Sequence, residues 1–254
     1  MRDFITCHPV EKLNSDLFET RLMGQKVVCM AGEEAARIFY DNDKFKRKGA
    51  MPKPLKVSLL GENGVHEQDE EMHKQRKRMF LSMMTPDRVE EMKNIAVRTL
   101  DVQADRWEHK NNVTLFSEIQ EILTRAGCEW AGVPLYETEV KQRTDELVEM
   151  IDSFDGSFKR AVKGKKARDS NEEWLMDIIQ SIRSGKYSPS PNTPAYIIAH
   201  HREPDGKYLK THTAAVELNN SFRPLVATAN FIVFGLLALY EHPEVLHKLK
   251  ERQE

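Results

Sequence analysis

One stretch decides the fold: Ala214-Ala215-Val216-Glu217-Leu218-Asn219-Asn220-Ser221-Phe222-Arg223-Pro224-Leu225-Val226-Ala227-Thr228-Ala229-Asn230-Phe231-Ile232-Val233-Phe234-Gly235-Leu236-Leu237-Ala238-Leu239-Tyr240. Read as one helix, it is apolar on nearly every face after Pro224, the pattern of a helix buried all round. That run is shorter than the ~20 residues that cross a bilayer. A central core helix is expected, and no transmembrane segment. Two residues inside it are costly. Pro224 removes a ladder hydrogen bond and clashes with the carbonyl four residues back, at ~3 kcal/mol or more. Polar Asn219, Asn220 and Ser221 lie where local compensation would be needed. Arg223 carries a group that is almost never buried without a partner. No acid is near it on its own helix face, so its planar fork calls for an anion from elsewhere. A structural ion pair with another segment, or an arginine snorkelling to the surface, is equally open at this point.

The 254 residues suit one large domain or two small ones, and 38 basic against 40 acidic residues leave a net charge of −2. That balance, with 40% hydrophobic residues, belongs to a soluble globular chain without a pull towards nucleic acid or membranes. Met1–Pro9 lacks the apolar core of a signal sequence. Cys7, Cys29 and Cys128 are odd in number and widely spaced. They argue for a reducing, cytoplasmic setting over a disulfide framework. Paired-cysteine metal motifs, a P-loop and a dinucleotide fingerprint are absent from the sequence.

Working outward, Lys26–Met30 reads as a short strand turned by Gly32 into a helix from Glu33 to Tyr40. Lys44–Lys56 reads as a basic, solvated loop, and Leu59–His66 as irregular and glycine-punctuated. Asp69 is placed to cap a helix carrying His73, Arg76 and Phe80. Amphipathic spacing predicts helices over Asp87–His109, Phe116–Val133, Glu137–Phe158 and Asn171–Ser184. Gly164 is expected to open a basic loop, Lys163–Arg168, and Asn192–Ala199 to form a short helix. After the central stretch, Pro243 starts a last charged helix. The whole is mainly α with a short N-terminal β element.

Leu218–Ala227, with Arg223-Pro224 at its heart, resembles the distal helix of the bacterial fatty-acid peroxygenases, a branch of the cytochrome P-450 haem-thiolate superfamily. Val28–Gly32, Pro52-Lys53, Phe80–Thr85, Trp130–Val133 and Met150–Phe154 match in the same order. Where ordinary members of the superfamily carry an acid–alcohol pair, this chain has the arginine and proline. The resemblance implies a P-450 fold over residues 1–254, a single incomplete domain that stops before the haem-thiolate loop. It implies haem b as cofactor, a long-chain fatty acid and hydrogen peroxide as partners, and no strict need of a redox partner. Arg223 would hold the substrate carboxylate, which then serves as the acid–base for peroxide cleavage. Pro224 would shape the pocket beside it. His66 falls where decarboxylating members have histidine, tilting the outcome towards a terminal alkene over α- or β-hydroxylation. Leu60, Ile151 and Phe154 match substrate-facing positions, and Leu59, Leu225 and Val226 are further candidates for an apolar channel. Arg47, His73 and Lys77 match positions whose cations would pair with haem propionates.

Without the resemblance these residues read more plainly. His66 is a solvated loop histidine, His73 and Lys77 an ordinary i, i+4 pair, and Ile151 and Phe154 core positions at helical spacing. The chain also departs from the family. Leu60 replaces a frequent phenylalanine, Glu70-Glu71 follow Asp69 where the family tends to have glycine and a small or basic residue, and none of the three cysteines lies in a Phe-x-x-Gly-type ligand loop. A catalytically inactive fragment, at most a lipid-binding remnant, is therefore the alternative to an enzyme.

Overall fold

The computed structural model describes residues 15–22, 24–41, 43–155 and 157–251. The expectations for Met1–Pro9 and Cys7 lie outside them. Two strands open the fold, β1 (Leu17–Leu22) and β2 (Gln25–Met30), paired antiparallel from Leu17↔Met30 to Leu22↔Gln25. Sequence reading expected only the second strand; Phe18 and Thr20 give β1 strand-forming residues, but its charged Glu19 and Arg21 hide the alternation.

The helices follow in order: α1 (Glu33–Phe39), α2 (Glu70–Met83), α3 (Pro86–Trp107), α4 (Leu115–Ala131), α5 (Val140–Asp152), α6 (Phe158–Arg183), α7 (Pro194–His200), α8 (Thr211–Ala227), α9 (Ala229–Glu241) and α10 (Pro243–Glu251). Between α1 and α2, Lys53–Leu55 and the π-type turn Lys56–Leu60 precede a 3₁₀ turn, Val65–Glu67. The core joins α4, α6, α7 and α8 around Ile122, Trp130, Leu175, Ile198, Leu218 and Phe222. Helix α4 ends as its sequence demands. Gly132 takes the left-handed conformation (φ 70°), and Val133 N–H reaches back to the Cys128 carbonyl at 2.8 Å.

Several expectations are corrected. Lys163–Arg168 is not a loop; it lies inside α6. Gly164 is there for proximity, because a Cβ would lie 2.5 Å from Ser153 Cβ and 3.0 Å from the Glu149 carbonyl, where α6 presses on α5. The Glu137–Phe158 helix is two pieces, α5 and the start of α6, separated by the 3₁₀ turn Ser153–Asp155. Asp69 stands at the N-cap of α2 without capping it. Its carboxylate instead accepts from the backbone N–H groups of Arg47 (2.7 Å) and Lys48 (3.2 Å), which pins the basic loop to α2.

The central stretch changes most. It breaks at Thr228 into α8 and α9. Helix α8 is buried from Thr213 to Arg223, the part that precedes the apolar run and carries its polar residues. Helix α9 is not: Phe231 is 78% exposed and Tyr240 84%. By length and composition Thr211–Glu241 could also cross a membrane, but its first half packs in the core. Pro224 lies inside α8 with its ring exposed, and the helix continues to Ala227. Asn219, Asn220 and Ser221 do not repair the proline's lost bond. Ser221 Oγ donates to the Leu218 carbonyl at 2.7 Å, while the two asparagines bond to other elements.

Candidate active site

Helix α8 carries Glu217, Asn219, Asn220 and Arg223 into the interior, all buried. Glu217 is paired with Arg76 of α2, whose other Nη bonds Glu203 at 3.1 Å. Glu217 therefore has its cation, even though burial pushes its carboxyl above the ordinary range. Arg223, 6% exposed, differs: among the described residues no acid pairs with it, and its Nε has no hydrogen-bond partner. Desolvation, followed by repulsion from Arg168, pulls its pKa down to about 9. An arginine still keeps its proton at neutral pH, so the site holds an uncompensated positive charge.

A cavity of about 380 Å³ is lined among others by Phe39, Phe45, Arg47, Met51, Leu60 and His66; Arg223 is not among its lining residues, though its charge is felt by His66. Its wall is held by the segment from Leu59 to Glu67. Asn220 Nδ2 donates to the Leu60 carbonyl at 2.8 Å. Gly64 lets the segment lie against α8, since a Cβ there would come within 3.1 Å of Val216 Cγ1. Lys56 and Glu67 close the wall with a 2.6 Å ion pair. His66 is open to the cavity. Desolvation and the guanidiniums of Arg223 and Arg168 hold its pKa below the usual imidazole value, so it is neutral at pH 7.

Leu60, His66 and Arg47 thus line one cavity. Arg47 and His73 line a second cleft beside it, with Lys77 close enough to His73 to lower its pKa along with Arg47. The cleft is of mixed charge: Lys46, Arg47, His73 and Lys74 could meet carboxylates such as haem propionates, but Asp43, Asp69 and Glu70 line it too. Ile151 and Phe154 do not line the cavity. Ile151 packs against the core, and Phe154 is 47% exposed. Their turn is tied to the cavity wall indirectly, through Ser153 Oγ to Ser58 Oγ at 2.9 Å. Val226 is core, and Leu225 lies against Gly127. Neither cysteine among the described residues suits an iron. Cys128 is sealed in α4 with its thiol pushed up to about 12, and Cys29 sits in β2.

Sequence reasoning missed Arg168. It is 1% exposed on α6, bonded to Glu172 and to the Leu59 carbonyl, each at 2.5 Å. The sequence reads Lys163–Arg168 as a loop outside the helix expected from Asn171, which hides the i, i+4 pairing of Arg168 with Glu172 along α6.

No family model matches the chain. Solved structures do. Cytochrome P450EX alpha (CYP152N1), solved with myristic acid, is 36% identical, with a TM-score of 0.89 over 98% of this chain and 59% of its own. Cytochrome P450SP alpha (CYP152B1), in complex with (R)-ibuprofen, is 39% identical, with a TM-score of 0.87 over 93% of this chain and 58% of its own. A variant of cytochrome P450 OleT, in complex with arachidonic acid, is 32% identical, with a TM-score of 0.90 over 95% of this chain and 58% of its own. The architecture is therefore that of a cytochrome P450. More narrowly, the chain belongs to the CYP152 fatty-acid peroxygenase branch of that superfamily. It spans about three fifths of the length of the structures it matches.

Proposed function

We propose that this chain serves haem-dependent, peroxide-driven oxidation of long-chain fatty acids near the carboxylate, by hydroxylation, decarboxylation or both. One observation carries the reading: Arg223 is a buried cation for which no acid is found among the described residues. A substrate carboxylate fits its fork bidentately, at roughly twice the strength of a neutral hydrogen bond. Leu60 then faces the acyl chain, with Ile151 and Phe154 on the far side of the Ser58–Ser153 contact. His66, neutral beside two guanidiniums, offers a ring nitrogen that can hold or accept a proton next to the bound head group. It favours decarboxylation over hydroxylation. Pro224, next to Arg223 in α8, shapes the backbone that presents the guanidinium. Arg47, His73 and Lys77 would hold the haem propionates, and the haem would supply oxidation driven by peroxide. A cytoplasmic location, and independence from a redox partner, belong to this same proposal.

The test is fatty-acid binding and turnover. In the complete enzyme Arg223→Ala should abolish both while leaving haem uptake unchanged; turnover at the wild-type rate defeats the reading. The second reading is a non-catalytic lipid-binding piece, favoured by the absence of a suitable cysteine ligand among the described residues and by the bare face of α9. A reduced, carbon monoxide-treated spectrum separates the two. A thiolate-haem band supports the enzyme, and lack of haem uptake supports the remnant.

A further inference from the structure

Arg168 touches three parts of the molecule at once. Its Nε donates to Glu172 on its own helix, and its Nη1 to the Leu59 carbonyl, each at 2.5 Å. Nη1 also reaches Asn219 Oδ1, and Nη2 reaches Asn220 Oδ1, both at 3.4 Å. Because Asn220 turns its oxygen to Arg168, its amide nitrogen faces the Leu60 carbonyl at 2.8 Å. Two consecutive carbonyls, Leu59 and Leu60, are thus held directly or at one remove by a single guanidinium. The next residue, Gly61, lies flat on it. Its φ is +79°, and a Cβ would stand 2.5 Å from Arg168 Nη2. Leu60 and His66 follow from this anchored segment into the cavity. Asn220 is also one helical turn before Arg223 on the same face of α8.

We propose that Arg168 is a positioning residue for the carboxylate site: it sets the Asn220 amide and the Leu59–Gly61 backbone, and so the placement of Leu60 and His66 relative to Arg223. This rests on the reading that Arg223 binds a fatty-acid carboxylate. Glu172 neutralises Arg168, and its second oxygen bonds His212 Nε2 at 2.9 Å. The Glu172 carboxylate is thereby occupied on both oxygens and does not compete for Arg223. Arg168 meanwhile adds positive potential that a bound anion would feel.

The test uses the chain as expressed, with myristate as the probe, titrated calorimetrically, and amide hydrogen exchange over Gly61–His66. Arg168→Lys keeps a charge for Glu172 but loses the fork. It should weaken myristate binding about tenfold or more and speed exchange at Gly61–His66 more than at core amides elsewhere, a local effect that a general loss of stability does not give. If that variant does not fold, Asn220→Leu cuts the same link to Leu60 without unpairing Glu172 and carries the same expectations. The exchange readout needs no fatty acid, so it still judges Arg168 if wild-type chain fails to bind myristate and the functional reading falls. A folded variant with wild-type exchange at Gly61–His66, or with myristate affinity within about twofold of wild type where wild type binds, overturns the proposal.

Discussion

At the scale of the residue, the chain buries a guanidinium, Arg223, that no acid among the described residues neutralises. Burying an unpaired charge is among the most expensive substitutions a core can carry, so Arg223 should cost the unliganded protein stability. Arg223→Leu should stabilise the fatty-acid-free chain by about 1–4 kcal/mol, seen as a higher melting temperature, and remove the stabilisation that added myristate gives wild type. The proton linkage has the same sign. The folded pKa of about 9 lies well below that of an ordinary arginine, so between the two the unfolded state holds more protons and this group's contribution to stability rises with pH from about 9 upward. His66, His73 and His201 act in the acid range. All three have pKa values below 6.5, through desolvation first and nearby cations second. On acidification below that value the unfolded chain takes up protons the folded chain refuses, so stability falls. His66→Gln should flatten the loss of melting temperature between pH 7 and pH 5; an unchanged slope would show that His66 does not titrate there. The sequence made Arg223 legible through the arginine–proline pair that resembles the family's distal helix; residue physics alone left a structural ion pair or a snorkelling arginine equally open. It left Arg168 obscure because partners 50 residues away, such as Asn219 and Asn220, leave no local spacing.

Elements were legible where periodicity was strong. Helices α3 and α4 fall within one or two residues of the spacing-based spans. The failures have physical causes. Gly164 looks like a helix breaker, yet the helix runs through it because α5 comes too close for any side chain. Gly164→Ala therefore sets helix propensity, which favours alanine by about 1 kcal/mol, against overpacking of about 1–3 kcal/mol. Overpacking should win, since the nearest atoms include the Glu149 backbone, and urea unfolding should show a lowered midpoint. A raised midpoint would mean that α5 and α6 can part freely. The break at Thr228 was hidden for a different reason. Thr228 closes the turn with its own hydroxyl on the Leu225 carbonyl at 2.6 Å, a bond any helical threonine can make, so it gives no stop signal.

Over the whole molecule, the apolar stripe of α9 departs furthest from its sequence reading. Apolarity on every face predicted burial, but burial needs partners, and in this chain α9 meets mainly α4 and α10. Phe231, Phe234, Leu237 and Tyr240 remain exposed, a grouping that favours association. Phe231→Lys with Phe234→Lys should lower light scattering and dye binding at high protein concentration without shifting the melting transition; unaltered scattering would point to another surface. The structural relatives extend well past the length matched here, so composition alone could not say which faces this chain would cover by itself. The lone interior cation of α8 has a practical corollary for anyone who isolates the protein. Preparations should come off the column already loaded with monocarboxylates scavenged from the expression host, and a stripping step would then be needed before any affinity is measured.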